Sequence, residues 1–232
     1  MSHSTTPPLW TRHLVYRAER WRTTWVFRFG LAALVAIALW LTGPWWAAAL
    51  GQSLVCEASR AQSDAILVEN LEPDYLLFER ARRLRRAGIS DRVLVPISSE
   101  SDTGEPNDVA LGIAEVMARI SRLGPIEVIP ARQAEPITLT TARDVQRFLE
   151  RAHIRSVVLV TPLFRSRRAA LVAAATFGRA GIAVRCEPVQ GSRGVNTWTR
   201  SWHGIQTVVE QWFKLQYYRL YVLPFHGNEE RR

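Results

Sequence analysis

Ser156-Val157-Val158-Leu159-Val160-Thr161 is a short, β-branched, almost wholly apolar run, and its reading decides the fold. A strand that is apolar at every position is buried on both faces, as strands of a parallel sheet covered by helices are. Four more runs share this character: Ala65 to Val68, Arg92 to Pro96, Ile126 to Pro130 and Ala183 to Pro188. Between them lie amphipathic stretches near 73–88, 107–123, 141–153 and 165–180, with a last one near 203–222. This alternation predicts a Rossmann-like, doubly wound α/β domain over residues 60–223, built on a mainly parallel five-stranded sheet. Gly88, Gly124 and Gly181 each fall between a helical stretch and a strand, where a left-handed helix end is expected. Thr140 or Thr141 fits the N-cap of the third helix, with Asp144 in its first turn complementing the dipole. The stretches Ser98 to Asn107 and Gln190 to Thr199 read as surface loops.

Upstream of this domain, no charged residue occurs from Phe29 through Cys56, and Gly30 to Leu50 is long enough to cross a hydrocarbon core of roughly 30 Å. Residues 29–52 are therefore expected to form one transmembrane helix, kinked at Gly43-Pro44. Arg12, Arg17, Arg20, Arg22 and Arg28 precede it against the single acid Glu19, while Glu57, Arg60 and Asp64 begin the far side. That bias predicts a cytoplasmic segment 1–28, a single pass through the cytoplasmic (inner) membrane, and an extracytoplasmic domain followed by a C-terminal tail at 224–232. A cleaved secretory signal is the competing reading, since Ala47-Ala48-Ala49 meets the small-x-small rule, but the 28 residues ahead of the apolar stretch are long for a signal. Both readings leave the domain outside the cytoplasm.

The net charge of +9 raises the question of nucleic acid, yet Lys214 is the only lysine and the arginines are scattered. Without a basic run or an aromatic-interleaved basic sheet, no nucleic-acid partner is expected. Two cysteines, Cys56 and Cys186, make no disulfide framework. Two separate thiols are the expected state, and one bridge in an oxidising compartment is the alternative. The last helix is crowded with Trp212, Phe213, Tyr217, Tyr218 and Tyr221. Packing onto the sheet, with Trp198 and Trp202 in the loop before it, is the expected role, and contact with lipid the alternative.

In an open parallel sheet, ligands sit beyond the carboxyl ends of the strands, so the informative residues follow each strand. They are Glu69-Asn70, Pro96 to Ser99, Glu135 to Thr141 and Thr161 to Arg168. At these places the chain resembles the YdcF/SanA/ElyC-like family, a domain of unknown function carried by bacteria behind membrane segments. The resemblance covers residues 62–222. Asp64 to Val68 is similar to the family's first strand, and Ala114-Glu115-Val116-Met117 to its acidic helix start. Across Glu135 to Asp144, Glu135 and Thr141 match the family's motif, Thr138 nearly matches, and Thr140, Arg143 and Asp144 differ. Thr161, Arg168 and Ala169 match the segment after the fourth strand, and Glu210, Lys214 and Tyr218 resemble the acid, base and tyrosine of its final helix.

Two departures bear on chemistry. The family's paired glycines are replaced by Glu69 and Asn70, adding bulk and negative charge where an anion would approach. Its histidine position holds Arg165, which cannot act as a general base near neutral pH but can grip phosphate or carboxylate. Arg165, Arg167 and Arg168 would then form a cationic rim, unless they are solvated surface. What the resemblance implies is a role in cell-envelope polysaccharide or lipid-carrier metabolism. An anionic phosphate- or sugar-bearing ligand would be held by Glu69, Asn70, Glu135, Thr138, Thr141, Asp144, Thr161, Arg165 and Arg168. The alternative is a non-catalytic accessory subunit, partnered by an envelope-assembly or polysaccharide-export protein. No Ser-His-Asp set, metal-spaced cluster or phosphate loop is visible, so the sequence assigns no catalytic residue, cofactor or metal.

Overall fold

The computed structural model describes residues 25–226 apart from 60, 71, 73 and 101–103. Arg12, Arg17, Arg20 and Arg22 of the basic N-terminal segment, Arg60 after the apolar segment and the last six residues of the tail lie outside the described residues. Two compact units divide the chain, one ending at Gly43 and one running from Pro44. Helix α1 (Trp25–Ser53) crosses that division with Pro44 inside it, and its most apolar window is fully exposed, as a membrane span would be and a core helix would not.

Within the second unit the elements alternate: β1 (Ala65–Val68), α2 (Tyr75–Arg86), β2 (Val93–Ser98), α3 (Asp108–Ile120), β3 (Glu127–Ala131), α4 (Ile137–Arg151), β4 (Ser156–Pro162), α5 (Ser166–Phe177), β5 (Ala183–Val189) and α6 (Trp202–Tyr217). A π-helical segment, Tyr218–His226, continues α6. All five strands are parallel, in the order β3-β2-β1-β4-β5. The chain therefore works outward from β1 in one direction and then returns to its other side through β4. That reversal makes a switch point between the β1 and β4 tips.

Alternation along the strands fixes the two covering layers. Ala65, Leu67, Leu94, Ile129, Val157 and Leu159 pack with Leu139, Val145, Leu149, Val172 and Phe177 of α4 and α5. Their neighbours Ile66, Val68, Val93, Val95, Val158 and Val160 pack on the other face with Leu77, Phe78, Ala81 and Leu84 of α2 and Ala114 and Ala118 of α3. Gly88, Gly124 and Gly181 all have positive φ (73°, 90° and 70°), as the expected left-handed helix ends require.

Four expectations are corrected. The third helix starts at Ile137, with Pro136 as N-cap, because the Pro136 carbonyl accepts from Leu139 N and Thr140 N (3.0 and 3.1 Å). Thr140 and Thr141 are therefore buried inside the helix, and Asp144 lies in its second turn. Cys56 and Cys186 are not separate thiols but a disulfide joining the segment after α1 to β5. Backbone pairing brings them together: Ala58 bridges Cys186 and Ser59 N donates to the Cys186 carbonyl (2.9 Å). Finally, the aromatics near the last helix divide. Trp198 and Tyr218 are buried, whereas Trp202, Phe213, Tyr217 and Tyr221 face outward.

A third apolar cluster joins the end of α1 to the domain. Ala47 and Leu54 pack with Phe164, Trp198, Val208 and Leu215. Trp198 Nε1 donates to the Ala47 carbonyl (3.1 Å), and Gly51 leaves the room the indole fills, since a Cβ there would meet Nε1 at 3.0 Å.

Candidate functional site

Register carries Glu69 to the switch point. Val68 pairs with Val160, so the next residues, Glu69 and Thr161, lie side by side at the tips of β1 and β4, and Glu69 N donates to the Val160 carbonyl (2.9 Å). Both side chains are buried, and the Thr161 hydroxyl donates to Glu69 Oε2. Glu69 Oε1 has no hydrogen-bond donor but faces Arg165 Nη1 at 3.7 Å. Arg165 sits in the single 3-10 turn between β4 and α5, and its Nη2 pairs with Glu72 Oε2 at 2.8 Å.

Arg168, one turn further on, points inward. Its Nη1 donates to Thr138 Oγ1 (2.6 Å), its Nη2 donates to Gln211 Oε1 (3.2 Å), and its guanidinium lies 5.3 Å from the Tyr218 ring centre. Tyr218 in turn accepts from Thr138 N through its hydroxyl (3.1 Å). Burial pulls the Arg168 pKa down, with the Glu69 charge opposing and the Arg165 charge reinforcing that shift. Five elements thus meet at one network: the β1 tip, the β4 tip, the starts of α4 and α5, and the end of α6.

Of the nine expected ligand residues, Glu69, Thr138, Thr161, Arg165 and Arg168 gather there. Thr141 is adjacent, lining with Glu69 and Thr138 a small, mostly apolar space of about 50 Å³. Asn70 follows Glu69 with its side-chain oxygen buried and unbonded. Glu135 is exposed, its carboxylate only 3.4 Å from Ile137 N at its own helix start. Asp144 accepts from Arg132 N (2.9 Å), Arg132 Nη2 (2.9 Å) and Arg147, and so fastens the segment after β3 to α4. Burial raises the Asp144 carboxyl, but those hydrogen bonds and the two guanidinium charges outweigh it and leave the pKa below the usual range.

The arginines form no cationic rim. Arg167 is exposed, while Arg165 and Arg168 turn toward Glu69 and the helix ends. Gln211 and Glu72 escaped the sequence reading. Gln211 carried a usable signal, since it is the one polar residue in the inward series Val208, Gln211, Leu215, Tyr218. No family model matches the chain, and none of the curated proteins compared with it is similar at significance.

Beside the network lies a cleft of about 380 Å³, where Arg165, Gln211, Arg193, Thr207 and Glu72 surround an apolar floor that includes Phe164. Two cations and two acids, Glu72 and Asp74, border it, so it presents no excess of positive charge. Among the described residues, no three His, Cys, Asp or Glu side chains gather as metal ligands would. The chemistry available at the switch point is ion pairing and hydrogen bonding. Arginine holds its proton, and the Glu69 carboxylate accepts from Thr161 through one oxygen while the other faces Arg165.

Proposed function

We propose that the chain is a single-pass inner-membrane protein whose α/β domain lies outside the cytoplasm, as a non-catalytic accessory module of an envelope-assembly or polysaccharide-export machine. One observation carries the reading. The Glu69 carboxylate fills the β1–β4 crevice, the ordinary ligand position of this strand order, and supplies internally the anion that Thr161 and Arg165 would otherwise hold. A phosphate entering the same place would meet like charge in a space with little dielectric screening. The Cys56–Cys186 bond supports an oxidising compartment, and the arginine bias ahead of α1 supports a cytoplasmic N-terminus. The envelope role rests on the resemblance to YdcF/SanA/ElyC-like domains.

A second reading is that a phosphate- or sugar-bearing ligand binds in the adjoining cleft. One feature favours it: the side chain that neutralises Arg165 there, Glu72, is 78% exposed, so an incoming anion can displace it.

Mass spectrometry of small molecules and lipids retained by the detergent-purified protein separates the two. Beyond bulk membrane phospholipid, an accessory module retains no phosphate- or sugar-bearing molecule, in the wild type or in Arg165→Ala. Retention by the wild type that Arg165→Ala abolishes would replace the first reading with the second. Reporter fusions after residue 226 test the topology, and activity of a cytosol-only reporter overturns it.

A further inference from the structure

The tips of β4 and β5 end at the cleft that adjoins the switch point. Pro162 and Val189, the last paired residues of the two strands, line it, as do Leu163 and Phe164 just beyond β4. Together they make an apolar floor, and the next residue, Arg165, borders the same cleft. An occupant that uses both must carry its anionic group close to an apolar one.

The surroundings of Arg165 select the anion. Its guanidinium faces the buried Glu69 carboxylate at 3.7 Å and holds Glu72 at 2.8 Å. Glu72 is 78% exposed, so this is a surface ion pair that costs little to break. A carboxylate that takes the place of Glu72 leaves the charge balance unchanged, whereas a phosphate dianion adds a negative charge beside Glu69. Asp74, the other acid of the cleft, is committed to capping α2, where it accepts from Leu76 N (2.9 Å).

α6 supplies the polar wall. Gln211 is 6% exposed, and its Oε1 accepts from Arg168 Nη2 (3.2 Å). Arginine has only donors, so the carbonyl end of this amide is fixed toward Arg168 and its amino end is turned elsewhere. Among the described residues nothing accepts from that amino group. One turn earlier, Thr207 donates its proton to the His203 carbonyl (2.7 Å) and keeps its oxygen as an acceptor on the cleft. A donor and an acceptor so placed match the C=O and N–H of a peptide unit. A sugar ring would gain most from an open aromatic face, but Phe164, the aromatic of the floor, is only 7% exposed. The floor therefore suits an aliphatic side chain better than a sugar.

We propose that the cleft receives the C-terminal residue of a partner protein. Its carboxylate replaces Glu72 on Arg165, its aliphatic side chain lies on Leu163, Phe164 and Val189, and its last peptide unit meets Gln211 and Thr207. A chain end fits better than an internal Asp or Glu, because its carboxylate and side chain branch from one Cα, whereas neighbouring side chains of an extended peptide point to opposite faces. Arg193, on the same cleft, pairs with no acid among the described residues and adds to the attraction of an anion. The inference rests on the accessory reading and names how the partner is held.

The full chain, purified in detergent, is titrated with acetyl-Ala-Gly-Leu, with the C-terminal amide of the same peptide, with acetyl-Glu-Leu amide and with glucose 6-phosphate, and binding is followed by saturation-transfer NMR. The free acid binds, and its amide binds at least about tenfold more weakly for want of charge-assisted hydrogen bonds. Glu72→Gln, which removes the internal competitor at an exposed position, binds the free acid about threefold more tightly than the wild type, a gain that damage to the fold would not produce. Arg165→Ala loses the binding. Acetyl-Glu-Leu amide binding as well as the free acid overturns the choice of a chain end. Equal binding of acid and amide, or binding of neither in wild type and Glu72→Gln, overturns the proposal and leaves the accessory reading with its partner docked elsewhere. Glucose 6-phosphate binding more tightly than the peptide, in an Arg165-dependent way, overturns the proposal and the accessory reading together.

Discussion

The hydroxyl of Thr161 donates to the carboxylate of Glu69, joining the tips of β4 and β1 across the point where the sheet reverses its order. In a sheet of this order the two tips part around a ligand. Here they are bonded to each other.

Removing that carboxylate leaves the Thr161 hydroxyl without its acceptor and Arg165 with Glu72 alone. Loss of a buried hydrogen bond to a charged group costs roughly 1.5–3 kcal/mol. Glu69→Gly is therefore expected to unfold at lower temperature than the wild type. It should also gain what the wild type lacks, an anion site. Millimolar inorganic phosphate raises the melting temperature of Glu69→Gly and leaves that of the wild type unchanged, because a ligand stabilises only the state that binds it. A Glu69→Gly protein as stable as the wild type and indifferent to phosphate refutes the role given to this carboxylate.

The disulfide closes a loop of 130 residues, which takes in the first four strands and the helices between them but not α6. Constraint of the unfolded chain by such a bridge is worth about 2–5 kcal/mol. Cys186→Ala lowers the unfolding free energy by that amount, and reductant lowers the wild type to the level of the variant without affecting the variant further. Alkylation before reduction gives the compartment: both cysteines of protein taken from cells stay unlabelled until reductant is added.

What the sequence reveals and hides divides along one physical line. The five strands were legible because burial on both faces leaves a local mark, an unbroken apolar run such as Val157 to Val160. The helix ends at Gly88, Gly124 and Gly181 were legible for the same reason, since a left-handed backbone selects glycine on the spot. Pairings across the fold leave no such mark. Glu69 and Thr161 are 92 residues apart, and Cys56 and Cys186 are 130 apart, so neither bond is written in spacing. Arg165 and Arg168 read as a cationic rim or as solvated surface because their partners, Glu69 for the one and Thr138 and Gln211 for the other, lie far away in the chain. Thr140 and Thr141 looked like caps because the cap pattern is local, whereas the Pro136 carbonyl that starts α4 leaves none.

Asp144 makes the acid side of the stability profile specific. Its folded pKa is depressed, through Arg132 and Arg147 overcoming burial, so its contribution is present above the ordinary aspartate value near 4 and is lost as pH falls through the folded value. Both arginines are more than half exposed, so solvent screening keeps the loss in Asp144→Asn to about 1 kcal/mol at neutral pH. The variant differs from the wild type at pH 7 and converges with it in acid. Denaturant titrations stepped down from pH 7 through the acid range check this, and a deficit that never narrows as pH falls shows that Asp144 acts through packing instead.

Gly204 tests whether α6 is locked to the turn before it. A Cβ at this position would lie 2.1 Å from the Trp198 carbonyl oxygen and 2.9 Å from its carbon, both backbone atoms that cannot step aside as a side-chain tip can. Ser201, which caps the helix by accepting from Gly204 N at 3.1 Å, holds the turn in the same place. Gly204→Ala must therefore push α6 away from Trp198, and overpacking of this kind costs about 1–3 kcal/mol. Gly112 in α3 has open space around its would-be Cβ, so Gly112→Ala gains roughly 0.5–1 kcal/mol from helix propensity alone. Opposite signs for the two glycine-to-alanine changes, together with a Trp198-sensitive near-ultraviolet dichroism that changes only in Gly204→Ala, are the expected outcome. Equal small gains at both positions mean that α6 is free to shift over the Trp198 turn, against the close contact seen here.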